Sequence, residues 1–171
     1  QNKLFVGIKY GVDGKHVAMS IATKVDEKIF VESIDCQSVR NGNTWIISFL
    51  KEADIEKVVI DGSGSQQILS DEIKDYGIKL KPVLPKVSDV VVANNMFEQA
   101  VTSSKNICHN DQPSLKQIVT NCKRRAIGTN GGFGFKAMME EHEIALLDSV
   151  ILAHWACATY KGVKKKQKIS C

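Results

Sequence analysis

Two aspartates stand where a carboxylate is costly. Asp148 is the only charged residue in the run Ile144-Ala145-Leu146-Leu147-Asp148-Ser149-Val150-Ile151-Leu152-Ala153. Helical spacing sets it on one stripe with Ile144, Ile151, Trp155 and Ala158, a face expected to be buried. A lone carboxylate there needs a cation, a proton or hydrogen-bond donors. Asp61 ends the apolar run Val58-Val59-Ile60 and precedes Gly62-Ser63-Gly64-Ser65, the pattern of a buried strand running into a functional loop. The plainer alternatives are a turn-capping aspartate at Asp61 and an acid paired with a basic residue at Asp148. Two acids far apart in sequence, each at an apolar element, point instead to a shared metal site.

The elements that must bring them together follow from periodicity. Strands are expected over Leu4–Tyr10, His16–Thr23 and Lys28–Ile34, joined by turns at Gly11-Val12-Asp13-Gly14 and Asp26-Glu27. Thr44 offers an N-cap for a helix to about Ala53, and Lys57–Asp61 is a short, fully apolar strand. Gln66–Tyr76 reads as a helix stopped by Gly77, and Ile78–Val83 as a strand closed by Pro82 and Pro85. Val87–Ser103 is a longer helix and Ile107-Cys108-His109 a short extended piece. Pro113 opens another helix to about Thr120. Cys122–Ile127 and Phe133–Lys136 flank a second hairpin at Gly128–Gly132. The final helix runs from about Glu143 to Tyr160.

This order predicts an α/β fold, with a mixed five-stranded sheet (an antiparallel meander plus parallel strands), flanking helices and an extra β-hairpin. A right-handed crossover would set the Lys57–Asp61 strand beside the first strand in the centre. The final helix, packed across that sheet, would bring Asp148 towards the carboxyl end of the Asp61 strand.

The composition suits one soluble domain: 171 residues, 43% hydrophobic and 25% charged. No apolar stretch reaches the roughly 18 residues that span a membrane, and no signal-peptide pattern opens the chain. The start, which lacks methionine and enters a strand almost at once, suggests a piece of a longer protein. Residues 1–160 are expected to form the domain, and 161–171 a basic tail carrying Lys161, Lys164, Lys165, Lys166 and Lys168. These five lysines exceed the net charge of +4 and leave the body at −1. Such a tail is either a solvated arm or a grip on polyphosphate. The five cysteines show neither C-x-x-C pairing nor zinc-ligand spacing, so reduced thiols in a cytosolic protein are expected.

A meander followed by acids on the fourth strand and last helix resembles the ribonuclease H-like fold of two-metal nucleases. The likeness extends to an ordered series of blocks. Val58–Asp61 with the Gly77 turn, Ala93-Asn94-Asn95-Met96-Phe97-Glu98, and Ile107-Cys108-His109-Asn110-Asp111-Gln112-Pro113 come first. Val119-Thr120-Asn121-Cys122, the Gly-rich hairpin ending at Lys136, and Ile144–Asp148 follow. Over about residues 4–158 the series resembles the nuclease domain of tailed-bacteriophage large terminase subunits, which cuts concatemeric viral DNA at packaging.

The resemblance implies an Mg²⁺- or Mn²⁺-dependent endodeoxyribonuclease with two ions, consistent with the preference of hard cations for carboxylate oxygens. Two such ions about 3.5–4 Å apart orient the attacking water, stabilise the leaving oxygen and neutralise phosphoryl charge. Asp61 would bridge them and Asp148 would hold the second. The implied partners are double-stranded DNA, an upstream ATPase domain of the same polypeptide, the terminase small subunit and the portal, with no membrane. The implied setting is the host cytoplasm. This chain contains no G-x-x-x-x-G-K-[ST] phosphate loop, so the motor would lie upstream.

One departure matters. The family places a metal-bridging aspartate in the middle of the first strand, where this chain has Lys9. An ammonium cannot ligate Mg²⁺, but it can take the place of a metal and pair with Asp61 and Asp148. That would preserve the fold while removing most activity, whether the change is natural or engineered. Asp13, four residues on, starts too far away to substitute unless its turn folds inwards. Lys123, Arg124, Arg125 and Lys136 flank the hairpin and are expected to track the DNA backbone. Glu98 is read as an ordinary helix glutamate, and His109 as a residue that caps a loop or acts at the site. Asn110 shares the His109 block, and Asn121 is a turn residue or a phosphate contact. Lys15 and His16 read only as turn residues. Three functions emerge: the packaging endonuclease, a catalytically silent DNA-binding or docking module of the same fold, and a Holliday-junction-resolvase-like nuclease.

Overall fold

The computed structural model describes residues 2–62, 64–103, 107–109 (backbone only) and 140–162. Strands β1 (Leu4–Tyr10), β2 (His16–Val25) and β3 (Lys28–Ser38) form the expected meander. Helix α1 (Thr44–Glu52) leads to β4 (Ile55–Asp61), and then come α2 (Ser65–Asp75), α3 (Val87–Ser103), β5 (Ile107–His109) and α4 (Glu141–Thr159). The sheet order is β4-β1-β2-β3-β5. β1 pairs antiparallel with β2 and parallel with β4, so the crossover sets the Asp61 strand beside the first strand, but at the end of the sheet order rather than in the centre, with the single Val83 bridge on its outer side. Four strands of seven to eleven residues carry the sheet; β5 adds three residues parallel to β3.

Two expectations change. Ile78–Val83 forms no strand but only one parallel bridge, Val59 to Val83. Pro82 lacks the N–H a ladder requires, which confines pairing to the residue after it. Thr44 begins α1 rather than capping it: Asn43 is the cap residue and makes no side-chain cap bond. Its amide instead joins Tyr10 Oη (2.8 Å) to Glu72 Oε1 (3.2 Å). The helix expected from Pro113, the Gly128–Gly132 hairpin and the lysine tail from residue 163 lie outside the described residues.

Strand alternation divides the core between two faces. Val6, Ile8, Val58 and Ile60 point to one side, where Ile46 and Ile47 of α1 and Leu69 and Ile73 of α2 cover them. Phe5, Ala22, Val31 and Val59 point to the other, beneath Phe97 of α3 and Leu147, Val150 and Ala153 of α4. The result is a helix–sheet–helix sandwich. No described helix is long and apolar enough to cross a membrane.

Small residues decide how α4 lies on the sheet. A Cβ on Gly7 would fall 2.5 Å from the Ala153 backbone nitrogen and closer still to the Ser149 carbonyl oxygen. On the neighbouring strand Ser20 Oγ meets Ser149 Oγ at 2.6 Å, and Ser149 Oγ donates to the Leu146 carbonyl (2.7 Å). The helix therefore rests on β1 at backbone contact, and both buried hydroxyls are satisfied. The most buried side of α4 is the one carrying Ala145, Ser149 and Ala153. Of the expected stripe Ile151 is buried, whereas Asp148, Ile144, Trp155 and Ala158 are only half-buried. The stripe expected to face the core thus lies partly on the flank, because close approach selects the small residues instead.

Gly7→Ala is predicted to destabilise the fold by about 2–3 kcal/mol, since the new methyl meets backbone rather than a movable side chain. Urea denaturation measures it; a change below about 0.5 kcal/mol would contradict the close contact.

His154 supplies a second test. It is 3% exposed, edge-on to Phe97 at 5.6 Å, and its Nδ1 has no hydrogen-bond partner among the described residues. Burial pushes its pKa down to about 4 from 6.5. Below pH 6.5 the unfolded chain takes up this proton while the folded chain does not, so stability falls between pH 6.5 and 4. The loss amounts to on the order of 3 kcal/mol, complete below the folded value. His154→Leu is expected to flatten that portion of the stability–pH curve, measured by urea melts across the window.

Candidate functional site

β1 and β4 run side by side in register, with Lys9 opposite Asp61 at their carboxyl ends. Lys9 is four residues from Phe5 and Asp61 two from Val59, so both side chains emerge on the α4-covered face of the sheet. Lys9 Nζ donates to Asp61 Oδ2 at 2.7 Å. The two side chains retain 14% and 20% of their exposure. At that depth the pair is screened far less than a surface bridge, and removing either member leaves an uncompensated charge. Of the expected pairing of Lys9 with Asp61 and Asp148, the geometry contains the Asp61 contact.

The loop after Asp61 is fixed from behind. Gly62 has φ 139°, a region that disfavours side chains, and its Cβ position lies 2.5 Å from Tyr10 Cβ. Gln66 N–H then bonds the Gly62 carbonyl at 3.1 Å, which starts α2. Tyr10 is locked in turn by its bond to Asn43, and its phenol is shifted upwards, first by burial and then by Glu72. This Tyr10–Asn43–Glu72 relay carries no sequence signal beyond the residue types, yet it sets the position of the Asp61 turn.

The direction of α4 is defined at its two ends. Tyr160 stacks against Phe5 at 5.1 Å and its hydroxyl donates to Glu56 Oε1 at 2.6 Å, both at the start of β1 and β4. His142 lies 6.1 Å from the His16 ring, and its carbonyl accepts from Cys36 Sγ (3.8 Å), near the opposite end of the sheet. The helix is therefore antiparallel to β1, and its Asp148 turn lies on the side of the Gly7 contact that leads towards Lys9. Burial pushes the Cys157 thiol up to about 11, against the Lys24 charge, which lowers it. Asp148 itself is half-buried on α4.

The other candidates separate. Asp13 does not fold inwards: Oδ1 accepts the Lys15 amide (2.9 Å), which lowers its carboxyl pKa, and Oδ2 lies 3.4 Å from His16 Nδ1. Glu98 is half-buried in α3, where its carbonyl accepts from Thr102. His109 is on β5 beside Val31, described by its backbone alone. Asn110, Asn121, Lys123, Arg124, Arg125 and Lys136 lie outside the described residues. Cys36 and Cys157 are free thiols.

Chemically, the site as it stands is an acid already neutralised. Among the described residues no group of three or more His, Cys, Asp or Glu side chains is disposed to hold an ion. A metal on Asp61 would meet the Lys9 ammonium at the same carboxylate. The residues present do not fit a two-metal centre while Lys9 holds that position.

No protein-family model and no curated protein matches this sequence. Solved structures do. The large terminase of a thermophilic bacteriophage, in complex with ADP, matches with TM-score 0.56 and 15% identity, covering 94% of this chain and 40% of that one. Another crystal form of the same phage protein gives TM-score 0.51 and 15% identity over 88% of this chain and 38% of that one. The human cytomegalovirus terminase nuclease domain, Mn-soaked and inhibitor-bound, gives TM-score 0.48 and 10% identity over 91% and 82%. The chain spans about two fifths of the length of the thermophilic phage protein. The likeness is one of fold: this chain takes up the fold of about two fifths of that phage large terminase.

Proposed function

We propose that this chain is the nuclease-fold domain of a viral DNA-packaging large terminase, held in a catalytically silent form by Lys9. The Lys9–Asp61 contact at 2.7 Å carries the proposal. The substrate is double-stranded DNA, engaged in the host cytoplasm. The cofactors that the fold calls for are two Mg²⁺ or Mn²⁺ ions, with Asp61 and Asp148 as ligands. Cutting of concatemeric DNA would require a carboxylate in place of the ammonium at residue 9. Lys123, Arg124, Arg125 and Lys136 are the proposed DNA contacts of the hairpin.

A carboxylate with a hydrogen-bonded ammonium has no net charge to offer a divalent ion, and the ammonium repels one directly. The same ammonium keeps the end of β4 from presenting a bare negative charge to a polyanion. A silent site of this kind retains DNA contact without cleavage. The ATPase part would lie elsewhere in the same polypeptide, since this chain carries no phosphate loop and the thermophilic phage protein it resembles was solved in complex with ADP. The small subunit and portal are the proposed assembly partners.

Lys9→Asp tests the reading. With Mn²⁺ present the variant is expected to nick supercoiled plasmid at least about tenfold faster than the parent, a barrier change of about 1.4 kcal/mol. Adding Asp61→Asn should abolish the gain. Cleavage by the parent chain at the rate of the variant would refute silencing by Lys9.

A further inference from the structure

A second basic feature stands at the same end of the sheet. Gly14, Lys15, His16, Ser38, Val39 and Arg40 line an open cleft of about 380 Å³. The β1–β2 turn forms one wall, and the single 3₁₀ turn after β3, Val39–Asn41, forms the other. Backbone bonds fix both: the Gly11 amide to the His16 carbonyl (2.8 Å) and the Val39 amide to the Lys15 carbonyl (2.9 Å). The Ser38 side chain caps the 3₁₀ turn by accepting the Arg40 amide at 3.3 Å. The two walls are therefore tied together, and the Lys15–Arg40 spacing is built in.

Charge gives the cleft a sign. No acid lines it among the described residues. The acids nearest in sequence and space are each partnered: Asp13 at the cleft's edge by the Lys15 amide and His16 Nδ1 (3.4 Å), Asp35 by Gln37 Nε2 (2.8 Å), and Glu140 by His142 Nδ1 (3.2 Å), so Asp13 draws on His16 while the Lys15 and Arg40 side chains stay open. Lys15 and Arg40 are exposed on opposite lips, and neither guanidinium nor ammonium appears in an ion pair among the described residues. Two long cations across an open trough suit a continuous polyanion better than a small enclosed ligand. Location points the same way. His16 begins β2 two residues before Ala18, the residue paired with Lys9.

We infer that the Lys15–His16–Arg40 cleft is a phosphate subsite that holds the DNA backbone beside the Lys9–Asp61 position. The assignment of DNA as the polyanion rests on the proposed function; the phosphate chemistry does not. Arg40 grips a phosphate oxygen pair through its planar fork, and Lys15 supplies a point charge on the facing lip. Both contacts are sequence-independent and fix the strand's register over the end of β1 and β4.

Two measurements on the full chain test it. In the first, amide shifts of Gly14–His16 and Val39–Arg40 are followed on titration with inorganic phosphate. Saturable shifts confined to that cleft are expected; their absence overturns the subsite. In the second, fluorescence anisotropy of a labelled duplex is read against salt for the parent, Lys15→Gln/Arg40→Gln, and a control pair, Lys74→Gln/Lys79→Gln, at exposed positions away from the cleft. The cleft pair should weaken binding by about tenfold and reduce the log K against log[salt] slope by about 2, while the control pair leaves both nearly unchanged. An unchanged slope in the cleft pair, or an equal loss in the controls, overturns the inference. Phosphate shifts without any duplex binding by the parent would retain the subsite and refute DNA as its partner.

Discussion

The architecture depends on the approach of α4 to β1 at Gly7. A helix normally stands off a sheet by the length of its side chains. Here Gly7, Ser20, Ser149 and Ala153 remove that spacer, and the Ser149 carbonyl and Ala153 amide lie almost on the strand. The contact sets the helix height, its rotation and its axial position together. The rotation leaves Asp148 half-buried rather than in the core, and the axial position puts its turn on the Lys9 side of the crossing. The large side chains of α3 and α4, Phe97 and Leu147 among them, then complete that face of the core.

A charged pair occupies the end of the sheet that this contact frames. Lys9 and Asp61 are partners in backbone register, so their side chains are brought together by strand pairing itself and need no loop to find one another. Gly62 and the Tyr10–Asn43–Glu72 relay keep the turn behind Asp61 in place. The ammonium supplies the positive charge that a divalent ion would otherwise bring to such a carboxylate. Unlike an ion, a covalently attached cation cannot dissociate, exchange a ligand or activate a water.

Much of this was legible in the residues. The Asp-Gly and Asp-Glu turns between alternating runs define the meander, and Asp26 adopts the positive φ of 55° that the tight second turn requires. The buried run before Asp61 marks a strand covered on both faces, although β4 stands at the end of the sheet order, beside β1. Lys9 stands out as a charge in an otherwise apolar strand. The final helix was legible in extent but not in rotation. An apolar helix has a weak pattern of sides, and its orientation came from a glycine on another strand, which no local window contains. Ile78–Val83 has the composition of a strand, but Pro82 limits it to a single bridge. Lys15, His16 and Arg40 carry no linear signature of a shared site, because their cleft is formed by two turns at opposite ends of the β2–β3 hairpin sequence.

The account turns on which cation neutralises Asp61, and Mn²⁺-induced broadening of the amide signals of Asp61, Gly62 and Asp148 reports this directly. The parent chain should keep these signals sharp at stoichiometric Mn²⁺, whereas Lys9→Asp should lose them. Selective broadening at Asp61 and Asp148 in the parent chain would show that a metal binds there despite Lys9, and would contradict the account.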